Sequence, residues 1–148
     1  MVTVKDLLNK LKGVDINSLT KLVIKENQKE ILDLNRSKMD KGLDINGKTV
    51  GTYSKASEQF AKQNKPAKPK KFGKPYNFQD TLKLFNEMFL THKNQKITID
   101  SKGIDSHEKD LFIQDSKVLG LSKEDGHIVN YKILLPELQK KFKAITKL

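Results

Sequence analysis

The chain has no cysteine, one arginine and four prolines in 148 residues. Without cysteine there is no disulfide, no thiolate metal ligand and no cysteine nucleophile. No apolar run approaches the about 20 residues that cross a bilayer. The first residues turn polar at Lys5 and Asp6, unlike a signal peptide. These absences predict a soluble protein made in a cytoplasm. Acidic residues are also missing from one long stretch, between Glu58 and Asp80.

What is abundant is lysine. The formal net charge is +11, and so large an excess favours an anionic neighbour such as DNA or RNA, or serves solubility alone. Arg36 is the one side chain able to read guanine edges bidentately. Lysine acts as a point charge, so a nucleic-acid contact here should be salt-sensitive and indifferent to sequence.

The length suits one domain over 1–148, with N-terminal helices in 1–41, an extended basic arm in 62–76, and a sheet with C-terminal helices in 77–148. Thr3 can cap a first helix, with Asp6 as its capping-box partner, Leu7, Leu8 and Leu11 as its apolar face and Gly13 as its end. Ser18 is placed to open a longer helix carrying Leu19, Leu22, Val23, Ile31, Leu34 and Met39, interrupted in 25–29 and ended by Gly42. Ser54 caps another short helix, in which Tyr53 and Phe60 are expected to be anchors.

The following tract alternates Lys62, Lys65, Lys68, Lys70, Lys71 and Lys74 with Pro66, Pro69 and Pro75. Proline removes donors and favours extended backbone, which predicts an arm with no helix or strand of its own. It could lie on DNA or on an acidic patch of a neighbouring subunit, or be a solvated linker. The segment 82–89 fits helix or strand equally. Residues 89–93 and 96–100 flank Asn94-Gln95 as a hairpin, with Ile97 and Ile99 inward. A helix is expected in 106–114, burying Leu111 and Phe112. Ser122, with Glu124 and Asp125, opens the closing helix, whose stripe runs through Ile128, Tyr131, Leu134, Leu135, Leu138, Phe142 and Ile145. Pro136 should bend or divide it.

Residues 42–49 spell the G-x-x-x-x-G-K-T of a phosphate-binding loop. That loop needs a buried strand before it, free amides within it and a helix after it. Polar helical residues precede it here, Asp44 would repel phosphate, and Val50-Gly51-Thr52 opens a helix poorly, so Asn46-Gly47 is better placed as a hairpin corner. His92, His107 and His127 lie in separate segments without metal-ligand spacing. Asp100, Asp105, Glu108 and Asp110 lack the spacing of a calcium loop. No serine sits in a G-x-S-x-G elbow. Nothing in these patterns argues for an enzyme, a cofactor or a metal, and no catalytic residue is assigned.

The order of short motifs is more informative. Gly47-Lys48, Gly51, Tyr53-Ser54-Lys55 and Ser57 precede the lysine-proline tract. Phe78-Gln79-Asp80-Thr81 follows it, then Ile97-Thr98-Ile99-Asp100-Ser101-Lys102 and Leu119-Gly120-Leu121-Ser122. From about Leu34 onward this resembles a family of small virion proteins from tailed phages and prophages of Bacteroidota, similar in layout to neck and tail-completion proteins. Members of that family usually carry glycine where Leu82 stands.

The resemblance implies a structural virion part at the head–tail neck or tail-completion ring, with no catalytic residues. Its expected partners are copies of itself and neighbouring portal, adaptor or tail proteins, in the virion and in host cytoplasm during assembly. The expected fold is α+β: N-terminal helices, a small antiparallel sheet and a C-terminal helix packed on it, with an extended Lys/Pro arm. Lys62, Lys65, Lys68, Lys70, Lys71 and Lys74 are the expected partner or DNA contacts. Ile128, Tyr131, Leu135 and Phe142 are the expected assembly contacts. The alternatives are a non-specific nucleic-acid binder and, more remotely, a nucleotide binder using Lys48 and Thr49.

Overall fold

A computed structural model describes residues 3–79, 82–103 and 118–147. The helix expected in 106–114 and the acidic residues Asp105, Glu108 and Asp110, with His107, lie outside the described residues. The fold is α+β: helices around one two-stranded antiparallel sheet, closed by a C-terminal helix.

Helix α1 (Val4–Lys12) starts at a capping box, in which the Thr3 hydroxyl accepts from the Asp6 amide and the Asp6 carboxylate accepts from Thr3. Helix α2 (Ile16–Glu26) starts before the expected Ser18, because the Asp15 carboxylate accepts from the amides of Asn17 and Ser18. It stops at Asn27, whose side-chain amide and backbone N–H both donate to the Val23 carbonyl. A side chain competing for that carbonyl breaks the expected long helix in two. Helix α3 (Gln28–Asp40) follows at once and ends on Gly42 at φ +71°. There the Gly42 amide donates to Met39 and the Leu43 amide to Lys38, closing a Schellman motif.

Helix α4 (Lys55–Asn64) is capped by Ser54, as the sequence predicts. A single turn, α5 (Lys83–Asn86), and strand β1 (Met88–Lys93) divide the ambiguous 82–89 segment between helix and strand. Leu82 enters α5 at φ +62°, the left-handed region that glycine takes without penalty. Strand β2 (Lys96–Ser101) pairs with β1 in the expected register, Lys93 opposite Lys96. Asn94 and Gln95 both have positive φ, as the type I′ form of a two-residue hairpin turn requires. Ile99 is buried and Thr98 and Asp100 are exposed, the alternation read from the sequence.

The closing helix comprises α6 (Lys123–Ile128), a wider π-helical stretch (Val129–Leu134) and α7 (Leu135–Thr146). Pro136 sits in the first turn of α7 and cannot donate to the turn before it. The wider winding, with the Leu135 amide reaching the Asn130 carbonyl, carries the chain past that gap without a break.

One core joins these parts: Val23, Ile31 and Met39 from α2 and α3, Leu84 and Phe85 from α5, Met88 and Ile99 from the hairpin, and Val129 and Ile133 from the π-helical stretch. The hairpin's main helical neighbour is α3, whereas α7 rests on α1 and α2. The lone arginine serves this architecture. Arg36 donates from Nε and Nη2 to the Phe85 carbonyl at 3.0 and 2.6 Å, tying α3 to α5. Several apolar side chains expected in the core are outside it. Phe60, Leu22, Leu8, Leu11 and Ile145 are exposed, each on a helix whose other face meets the protein.

Candidate functional site

Between Lys65 and Tyr76 the backbone forms no helix or strand, as expected of a proline-rich tract. The tract starts at Lys65 and not at Lys62, which lies in the last turn of α4 and pairs with Glu58 at 4.0 Å. Nor does it project as an arm. The Gly73 amide donates to the Tyr53 carbonyl and the Tyr53 amide to the Lys74 carbonyl, each at 3.0 Å, and the Lys68 amide donates to Gln79. Beneath it, Tyr53 and Tyr76 meet edge to face at 4.9 Å, and the Tyr53 hydroxyl donates to Asn77 at 2.9 Å. A Cβ on Gly51 would lie 2.4 Å from the Tyr76 ring, so only glycine admits this packing. The Gly51, Tyr53 and Ser54 of the sequence motif are therefore structural: close approach, ring anchor and helix cap.

The six lysines of the tract thus separate. Lys68 pairs with Asp40 on α3 at 2.5 Å, an anchor to the fold, and Gln79 donates to the same carboxylate. Lys62, Lys65, Lys70 and Lys71 gather round a groove of about 320 Å³ floored by Ala61, Pro66 and Pro69. Lys74 is exposed outside that groove. Two residues missed in the sequence join this basic face: the Lys55 ammonium stands 5.4 Å from the centre of the exposed Phe72 ring. An aromatic flanked by lysines was visible in the sequence, but their meeting depends on the tract folding back to α4.

The four expected assembly residues also separate. Tyr131 and Leu135 are exposed, Tyr131 stacking with His127 at 4.4 Å. Ile128 and Phe142 are half-buried. The larger exposed apolar surface lies elsewhere: Val4 (73% exposed), Leu8 (50%) and Leu11 (42%) follow one another along α1, and Ile16 and Leu22 on α2 are exposed too. Their spacing, i, i+4 and i+7, marks one stripe in the sequence. Only the fold decides that this stripe faces outward, with Lys10 donating to the Thr146 carbonyl at 3.1 Å to hold α1 against the C-terminus.

A cleft of about 670 Å³ separates the end of α3 from the start of α6, with the turn 44–47 at its rim. At its base Lys38, 7% exposed, donates to the carbonyls of Val118 and Gly120 at 3.0 and 2.8 Å. Asn35, fully buried one turn earlier, accepts from the Gly120 amide at 3.0 Å and turns its own amide toward the sulfurs of Met39 and Met88. Burial pushes the Lys38 ammonium down to about 8, partly offset by the carboxylates of Asp125 and Asp44. A trace of this clasp was legible: Ile31, Asn35, Lys38 and Met39 share one helical stripe, so the two polar residues occupy core positions.

The phosphate-loop look-alike forms the rim. Helix α3 precedes it, and no helix starts until Lys55. Its amides at Asn46 and Lys48 donate to the Asp44 carboxylate at 2.8 and 2.9 Å, so the loop encloses an anion of its own. The corner is a three-residue loop with only Gly47 at positive φ, +74°, where the sequence also allowed Asn46.

Among the described residues no three His, Asp or Glu side chains converge as a metal site, and no described helix is long and apolar enough to cross a membrane. No family model matches this chain, and no curated protein or solved structure matches it either.

Proposed function

We propose that this protein is a structural part of a tailed-phage virion, placed at the head–tail neck or tail-completion ring, and that it acts by oligomeric assembly. The observation that carries the proposal is the apolar stripe of Val4, Leu8 and Leu11 on α1, continued by Ile16 and Leu22 on α2, all exposed among the described residues. Large apolar side chains grouped on a surface mark an interaction site. A second copy is the occupant proposed. In a ring each copy meets the next through two different faces, and the exposed pair Tyr131 and Leu135 on the closing helix offers a second apolar face for the stripe to meet. The resemblance of its motif order to that of neck and tail-completion proteins favours the same role, with portal, adaptor or tail proteins as further neighbours.

Sedimentation velocity and negative-stain imaging of the full chain test this. The protein should form closed oligomers, and the double variant Leu8→Glu, Leu11→Glu should weaken association at least about tenfold, since each leucine, about half exposed, has about half of the roughly 1.5–3 kcal/mol of full burial left to gain. Its far-UV circular dichroism should not change, because both side chains are already exposed. A monomer at every concentration, with and without virion components, would overturn the proposal.

A further inference from the structure

The basic face has a composition that assembly through α1 does not use. From Lys55 to Lys74 there are seven lysines and one acid, Glu58. Four of those lysines border one groove, and a fifth, Lys55, stands against Phe72, whose ring is 55% exposed. The backbone that carries them is already pinned, by Tyr53, Gln79 and the Asp40–Lys68 pair. A ligand therefore meets a set of charges that needs no ordering of the chain.

We infer that this face binds single-stranded nucleic acid, with Lys62, Lys65 and Lys71 on phosphates and the Phe72 ring as a stacking platform for a base. Three features favour that ligand. A phenylalanine ring exposed among ammonium groups offers nothing to a carboxylate, whereas every base has a face to stack on it. A groove of about 320 Å³ admits one nucleotide unit of a flexible strand but not a rigid duplex. The one carboxylate lining the groove, Glu58, is partnered by Lys62 at 4.0 Å. With lysine the one kind of basic side chain on this face and no arginine, no bidentate reading of a base edge is expected, so binding is indifferent to sequence.

Fluorescence anisotropy of a labelled oligothymidylate with the full-length protein tests the inference. Three phosphate contacts on a single strand predict that log K falls against log salt with a slope of roughly −2. Replacing Lys62, Lys65 and Lys71 with glutamine should bring the slope near zero. Phe72→Ala should lower affinity about tenfold with the slope unchanged, and Phe72→Trp should restore it. Lys96→Gln, at the start of β2, should change neither. Absence of binding at low salt, or binding untouched by both sets of variants, would overturn the inference. Tighter binding of polyglutamate than of oligothymidylate would overturn it in favour of an acidic protein partner. None of these residues lies on α1 or α2, so this inference and the assembly proposal fail separately.

Discussion

Helix α3 holds two distant pieces of chain with polar side chains, one at its buried face and one at its exposed end. At the buried face Asn35 and Lys38 grip the loop 118–120. At the exposed end Asp40 receives Lys68 from the lysine-proline tract and Gln79 from just beyond it, with Lys68 and Asp40 both substantially open to solvent. The bonds are similar in kind and differ in what surrounds them. Water readily replaces a broken partner at the exposed end and far less readily at the buried face, so each hydrogen bond to the loop 118–120 holds more firmly than its counterpart at Asp40.

The largest expected effect is at Asn35. Asn35→Ala leaves the Gly120 amide without its acceptor and opens a void beside Met39 and Met88, at a cost of about 3 kcal/mol in urea unfolding. A loss below about 1 kcal/mol would break the contrast. Lys38 sharpens it through pH. Its proton is held only below about 8 in the folded protein, against an ordinary lysine value of 10.5. Between those values the unfolded chain binds a proton that the native state does not, so this site adds stability as pH rises from about 8 to 10.5. Below 8 both states are charged and the site contributes no pH dependence. The stability of the wild type minus that of Lys38→Met should rise by about 2 kcal/mol across that window. The neutral amine retains two N–H donors for its two carbonyls, so the clasp survives deprotonation. A flat difference curve would show the ammonium to be solvated. The smallest effect is expected at Asp40. Asp40→Ala should change stability by less than about 1 kcal/mol at low ionic strength, and by less still at high salt, as half-exposed ion pairs do.

Legibility in the sequence followed the same division. The caps at Thr3, Ser54 and Ser122, the Gly42 stop, the Asn94-Gln95 turn and the Ile97/Ile99 alternation were all readable, because each is decided by neighbours a few residues away. The start of α2 is local too and precedes the expected Ser18, because Asp15 outcompetes Ser18 as the first oxygen able to reach two free amides. Phe60 was expected inside and lies outside, since hydrophobicity says which side chains favour burial but not how much partner surface the rest of the chain supplies. The lysine tract looks like a free arm in the sequence because its own residues offer no ladder of hydrogen bonds. The bonds that hold it come from Tyr53, Asn77 and Gln79, outside the tract.

Local order, then, was set by the sequence alone: where helices begin and stop, where the strand pair turns, and that the surface is strongly basic. These depend on backbone sterics and side-chain reach over one turn of chain. Tertiary structure decided that Asn35 and Lys38 are interior, that the α1 stripe faces out, and that Lys55 and Phe72 join the basic face. Each of those depends on which distant segment arrives to exclude water, and burial is a property of the packed pair and not of either residue.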